Sequence, residues 1–328
     1  MNIIAKALAA AAAALAMAAP GMAAGPQGYP DRAVTIVAPF SAGGSTDAAA
    51  RMLADELSRR WSVPVIVENR PGGGGRIGAL AAARAKPDGY TLVILSAGSG
   101  TILPASIDRA RLGYGQEDFA PLSLLVTSPP VLLVHPDSGI RTTQELIDRL
   151  RSDPGKYTYG TNGIASTQHM TGAVFLNRIG ADGVVHVPYR GSSESLVGVA
   201  SGQLTFMFDN AVTALPFAAT GRVRALAVAS ARRFDMAPDL PTVAESGVPG
   251  FQAMMWLGLA TQDDVPADIL DFLNESVTGV LRDAAFQEKL RAQSFVAEPM
   301  SREAFARFLK DEAEQATDII SKNKIVIE

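Results

Sequence analysis

Two hydrophobic rhythms follow one another along this chain: short runs rich in β-branched residues, then stretches with apolar residues three and four positions apart. Val34 to Phe40 is a run of the first kind and predicts a strand. Ser41 to Asp47 is a small polar turn, and Ala48 to Arg60 carries Met52, Leu53 and Leu57 at helical spacing. The unit then repeats. Val63 to Glu68 reads as a strand, Pro71 to Gly75 as a turn, and Ile77 to Ala85 as a helix that Pro87-Asp88-Gly89 ends. Tyr90 to Ser96 predicts a third strand. Strands alternating with helices at this spacing imply an α/β fold with a parallel, doubly wound sheet, whose ligand sites lie beyond the carboxyl ends of the strands.

The apolar segment Phe119 to His135 is interrupted by Pro129-Pro130, and proline cannot donate to a central ladder. It therefore reads as two strands joined across Ser128 to Pro130, a candidate crossing between domains. Beyond it, Thr142 and Glu145 form a capping box for a helix to Arg151, and Tyr157 to Gly160 predicts a strand. A polar turn over Thr161 to Thr167 leads into a helix from about His169 to Ile179. Val184 to Val187, Thr205 to Phe208 and Arg224 to Ala229 continue a second sheet. Phe251 to Ala260 reads as a return strand. The C-terminal helices from Ala267 and Ser301 follow, the latter with Phe305, Phe308, Leu309, Ala316, Ile319 and Ile320 on one face. The chain thus leaves one α/β domain and comes back to it. Residues 24–128 and 251–328 form lobe 1, residues 129–250 form lobe 2, and a cleft separates them.

The first 23 residues stand outside this pattern. Lys6 precedes an Ala/Leu/Met run, Pro20-Gly21 breaks it, and small residues follow to Ala23 and Ala24, the order of a cleaved secretory signal peptide. The mature protein is therefore expected outside the cytoplasm, in the periplasm. Over 328 residues, 29 basic and 33 acidic side chains give a net charge of −4 without a basic stripe, so nucleic-acid binding is disfavoured. Cysteine is absent, which removes thiolate metal sites and Cys nucleophiles, and the three histidines lie apart at 135, 169 and 186. No metal or cofactor is expected. Gly72 to Gly75 lacks the G-x-G-x-x-G order of a dinucleotide site and reads as a structural turn. A hydrolase is the weaker reading, because Gly43-Gly44-Ser45-Thr46 is followed by Asp47 where a nucleophile elbow needs glycine.

The chemistry that remains sits in loops at strand ends. Phe40, Ala42, Gly43, Gly44, Ser45, Thr46 and Asp47 join a strand end to a helix start, where backbone N–H groups meet the positive end of a helix dipole. Glycine lets an anion approach such a backbone. Ser45 or Thr46 suits an N-cap, and Asp47 a first-turn acid. Thr161, Asn162, Ser166, Thr167 and His169 occupy a matching position in lobe 2, flanked by Pro188-Tyr189 and Asp209-Asn210 at two further strand ends. One carboxylate is expected at Ala42 to Thr46, and the distal end of the ligand at Thr161 to Thr167, Tyr189 and Asp209-Asn210. Arg190 reads either as a partner for a second carboxylate or as an exposed rim residue. Trp256 reads either as cleft wall or as core.

The sequence resembles the Bug-type periplasmic solute-binding receptors of tripartite tricarboxylate transporters. The resemblance runs from Tyr29 to the C-terminus through PFSAGGSTD at 39–47, VENRPGGGG at 67–75, PDGYTL at 87–92, DFAPLSLL at 118–125, HVPYRG at 186–191 and MFDN at 207–210. It implies a two-lobed periplasmic-binding-protein (Venus-flytrap) fold with a doubly wound sheet in each lobe. The lobes close on a small carboxylate held by main-chain amides and waters, not by a cationic side chain, and the monomeric receptor delivers it to membrane permease subunits. A dicarboxylate, an amino acid and an aromatic acid all fit. Leu103-Pro104 stands where the family often has Asn-Pro, near the cleft-proximal segment after Ser96, which is itself an expected ligand-binding residue. A receptor that informs a membrane sensor kinase is the second reading.

Overall fold

The computed structural model describes residues 25–327; the expected signal peptide at 1–23 lies outside the described residues. In lobe 1, β1 (Val34–Ala38), α1 (Ser45–Trp61), β2 (Val65–Asn69), α2 (Arg76–Ala83) and β3 (Thr91–Ser96) alternate as their sequence rhythm requires. Short helical turns lead to β4 (Phe119–Ser128). Pro129 alone separates β4 from β5 (Pro130–Val134), which belongs to the other sheet. Lobe 2 continues with α3 (Thr143–Ser152), β6 (Thr158–Thr161), α4 (Thr167–Ile179), β7 (Val185–Pro188), α5 (Ser192–Ala200), β8 (Phe206–Asn210), α6 (Ala211–Ala219) and β9 (Arg224–Val228). The chain returns through β10 (Met255–Gln262), and α7 (Ala267–Leu281), α8 (Ala284–Ala292), β11 (Val296–Ala297) and α9 (Arg302–Asn323) complete it.

The sheet orders are β11-β4-β10-β3-β1-β2 and β7-β6-β8-β5-β9. Neither is parallel throughout, which corrects the expectation from local spacing. β10 runs antiparallel to both β3 and β4, and β5 runs antiparallel to both β8 and β9. These are the strands next to the crossings, and a chain that enters a sheet from its neighbour arrives at the opposite end from a strand fed by a local βα unit. The return strand also starts later than expected. Phe251 is buried among Phe175 and Phe208 of lobe 2, and the Ala253 N–H donates to the Ala229 carbonyl, so the chain joins the first sheet at Met255 and not at 251.

Local starts and stops follow capping chemistry. Gly44 is the N-cap of α1, so Ser45 and Thr46 are first-turn residues and not caps. Thr142 Oγ accepts from the Glu145 N–H, but the Glu145 carboxylate accepts from Arg141 and not Thr142, so the capping box closes one residue early. Helices α5 and α6 carry no clear apolar stripe in sequence. α6 is apolar nearly throughout, with Pro216 inside it, and its place against β5, β8 and β9 decides its helicity.

Lobe 1 buries apolar residues on both faces of its sheet. The face under α9 resolves the two readings of Trp256. It is core: the indole Nε1 donates to Glu312 of α9 at 2.7 Å, and the ring packs edge-on to Phe305 and Phe308. Phe305 is fully buried, and a Cβ on Gly258 would overlap its ring at 2.0 Å, so the glycine in β10 makes room for it. Phe305→Ala is expected to lower stability by about 3–5 kcal/mol, read as a fall in the urea unfolding midpoint.

Candidate functional site

Four helices start between the two sheets: α1 after β1, and α4, α5 and α6 after β6, β7 and β8. The first-turn amides of any helix have no acceptor four residues back, and together they form the positive end of its dipole. Only α4 has its own side-chain cap, Ser166 Oγ accepting from the His169 N–H at 3.2 Å. The N-caps of α1, α5 and α6 are Gly44, Gly191 and Asn210, and none makes a side-chain cap bond. Three helix starts therefore present amides that no capping side chain has taken.

These starts surround an opening between the lobes of about 360 Å³, much of it continuous with solvent. Lobe 1 lines it with Phe40, Gly44, Ser45, Thr46, Ser96, Met255 and Leu257, and lobe 2 with Asn162, Thr167, Gln168, Ser192 and Asn210. No lining side chain carries a formal charge. The wall is a set of hydroxyl and amide groups with an apolar flank of Phe40, Met255 and Leu257, which suits an anion with a short carbon body.

Eight of the expected residues come together here: Phe40, Gly44, Ser45, Thr46, Ser96, Asn162, Thr167 and Asn210. The others stand around the cavity. Ala42 and Gly43 lie exposed at the rim, where the Ala42 carbonyl accepts from Ser193 Oγ of lobe 2 at 3.1 Å. The Gly43 N–H donates to Asp47 at 3.0 Å, so Asp47 supplies an internal acceptor to an amide expected to meet the ligand. Burial raises the Asp47 carboxyl, but Arg51, the Gly43 amide and Asn69 outweigh it and hold it below its usual range. Asp47 thus braces the turn and does not line the cavity.

Thr161, Ser166 and His169 shape the lobe 2 loop from behind. Thr161 Oγ lies 2.7 Å from His186 Nε2, and His169 Nδ1 accepts from the Ala165 N–H. The His169 and His186 rings stack at 4.3 Å, with Tyr159 on the far side of His186. Pro188 is exposed, and Tyr189 packs partly into the lobe 2 core while its N–H donates to the Thr161 carbonyl. Arg190 is exposed at the rim. Asp209 is fully buried behind the wall, accepting from Ser192 Oγ at 2.7 Å and Thr213 Oγ at 2.5 Å.

Four lining residues were not anticipated. Ser192 ends the HVPYRGS stretch, and its place as the first residue of α5 is the legible signal. Gln168 follows Thr167 in the first turn of α4. Met255 and Leu257 alternate with Trp256 along β10, so they take the opposite face from the tryptophan; placing the strand start at 251 concealed them.

The lobes touch. Asn210 Nδ2 donates to Ser45 Oγ across the cleft at 2.7 Å. Gly72, Gly73, Gly74 and Gly75 all have positive φ, and a Cβ on Gly74 would lie 1.9 Å from the Ile164 carbonyl oxygen of lobe 2. The glycine run, read as a plain structural turn, is also where lobe 1 receives the lobe 2 loop. Ala165 and Met170 are buried in the lobe 1 cluster around Phe305 and Leu309.

The family model described as tripartite tricarboxylate transporter family receptor matches residues 49–325. The chain belongs to that receptor family. Among solved structures it is similar to the R. palustris protein Rpa4515 with adipate, at 30% identity and TM-score 0.87, covering 91% of this chain and 99% of that one. It is similar to the periplasmic binding protein BugD, at 30% identity and TM-score 0.85, covering 90% and 99%. MatC from Rhodopseudomonas palustris with bound malate gives 28% identity and TM-score 0.83, covering 89% and 100%. The receptor has the two-lobed fold of periplasmic binding proteins. Among its described residues no helix is long and apolar enough to cross a membrane, and no three His or acidic side chains gather to hold a metal.

Two outcomes are expected from this geometry. Gly74→Ala places a methyl against the Ile164 carbonyl and should hold the lobes apart, so small-angle scattering should give a larger radius of gyration than wild type. Burial, with His186 adding to it for His169, pushes His169 down to about 3; burial pushes His186 down to about 4. Below about pH 6.5 the unfolded chain takes up protons that these folded rings refuse, so stability falls from there toward pH 4. Asp209, pushed up to about 6 by burial, works in the opposite direction between pH 6 and 3.8 but is one group against two. Melting temperature should drop across this window, and His169→Gln should make the drop shallower.

Proposed function

We propose that this receptor captures a small dicarboxylate between its lobes on the outer side of the cytoplasmic membrane and delivers it to a membrane permease. The observation that carries the reading is the meeting of three helix starts without side-chain caps around a cavity whose lining bears no formal charge. Fixed amide dipoles can neutralise a carboxylate without a cation, and their hydrogen bonds strengthen as water leaves. One carboxylate meets the amides of Ser45 and Thr46. The other meets the starts of α5 and α6 with Gln168, Ser192 and Asn210, and the carbon chain lies against Phe40, Met255 and Leu257. The bound adipate and malate of two related structures are dicarboxylates, which supports this class. The signal-like segment at residues 1–23 supports export.

Calorimetry against malate, adipate, glutamate and benzoate tests the reading, with a dicarboxylate expected to bind and to return unchanged. Saturation at about 100 times Kd should stabilise the fold by about 2.7 kcal/mol. Absence of binding by the whole panel overturns it. Thr46→Pro removes one first-turn amide that has no intrahelical partner, and should weaken binding about 10- to 100-fold relative to Thr46→Ala. Arg190→Ala should bind within about twofold of wild type, because an exposed rim charge contributes little. Unchanged affinity in Thr46→Pro would move the carboxylate away from α1.

A further inference from the structure

Asp209 is a carboxylate buried directly behind the wall of the cleft. It is fully buried at the end of β8, one residue before the α6 N-cap, and both its oxygens accept hydroxyl protons, from Ser192 and Thr213. The Gln168 side chain and the Asn210 backbone also favour its charged form. Ser192 in turn accepts from Asn162 Nδ2 at 3.1 Å, and Ser192, Gln168, Asn162 and Asn210 all line the cavity. The groups that orient the lobe 2 wall are therefore arranged on a negative charge.

Among the described residues that charge has no cationic partner. On α4 the nearest titratable group is His169, which burial keeps neutral. On α5 it is Glu194, exposed and accepting from the Arg190 N–H. β5 and α6 contribute no titratable side chain, β6 contributes only buried Tyr159, and across the cleft Asp47 is paired with Arg51. The Ser192 hydroxyl has given its one proton to Asp209, so a carboxylate ligand meets Ser192 through its main-chain N–H at the start of α5, beside Asp209 and in a site shielded from water. Two like charges so placed in a low dielectric cannot both persist at full strength, and one takes a proton.

We propose that Asp209 couples binding to proton uptake, so that the receptor takes its carboxylate together with one proton held on this side chain. The inference rests on the reading of the cleft as a carboxylate site. In the ligand-free protein Asp209 is itself the anion facing the starts of α5 and α6; the ligand replaces its charge there, and the protonated acid remains as a neutral hydrogen-bond partner. The device ties affinity for the anionic ligand to external pH. Burial already raises the carboxyl to about 6, so a nearby ligand anion moves it through the neutral range.

Calorimetric titrations with malate and with adipate, in phosphate and in Tris between pH 5.5 and 8, test this. The two buffers differ in ionisation enthalpy, and the expected difference in heat corresponds to uptake of about one proton per ligand at pH 7. Affinity should fall about tenfold per pH unit above pH 6. Asp209→Asn, an uncharged isostere, should bind at pH 8 about as well as wild type does at pH 5.5, with no proton uptake. His169→Gln should keep the uptake. Binding with equal heats in both buffers and a flat pH profile overturns the inference and leaves the carboxylate reading standing. A pH dependence that persists in Asp209→Asn overturns it as well. Absence of binding by either acid at every pH overturns it together with its premise.

Discussion

On the proposed reading the cleft accepts negative charge with no Lys or Arg among the described residues of its wall, and the placement of helix starts answers that constraint. Amides at the starts of α1, α5 and α6 are fixed by the helices behind them, so they cannot reorient or leave as a flexible cation could. The strands that feed these helices belong to two sheets, and the sheets approach each other with their carboxyl ends facing. The cores of both lobes serve this geometry. Phe251, Phe175 and Phe208 seat the strand ends of lobe 2, while Trp256 and Phe305 anchor β10 so that Met255 and Leu257 reach the cavity.

The two lobes meet backbone against backbone. Gly74 against Ile164, Gly98 near the Ala165 carbonyl, and Gly191 beside Ser41 are approaches that a Cβ would obstruct or crowd. Side chains join only at a few points, of which Asn210 to Ser45 and Ser193 to Ala42 cross the cleft itself. Bonds of this kind are individually modest, so the closed arrangement suits an equilibrium that ligand binding can shift. The chain passes between sheets at Pro129 and again between Ala253 and Met255, and we propose these short links as the hinge.

Acidic groups play opposite parts on the two sides. Asp47 bonds the Gly43 amide and pairs with Arg51, which shapes the α1 turn while keeping its charge out of the cavity. Among the described residues Asp209 has hydroxyl and amide donors but no cation, which leaves it responsive to what enters the cleft. Their difference lies in partners supplied by separate parts of the chain, not in the residue type.

Local sequence alone determined the strand–turn–helix units, the break at Pro129-Pro130, the two-lobed plan and the strand-end loops, because β-branched runs, helical spacing and Gly/Pro turns act within a few residues. It also determined that Gly44, Ser45 and Thr46 sit at a helix start. Tertiary structure decided which way β5 and β10 run, that Phe251 belongs to lobe 2 and that Trp256 is core. It decided too that Asp47 turns away from the cavity, that Gln168, Ser192, Met255 and Leu257 line it, and that a glycine run in lobe 1 receives Ile164. Each of these depends on contacts between segments far apart in the chain. Hydrophobic periodicity says that a residue faces a core, but only packing says which core, and whether an amide, a hydroxyl or a carboxylate already has its partner.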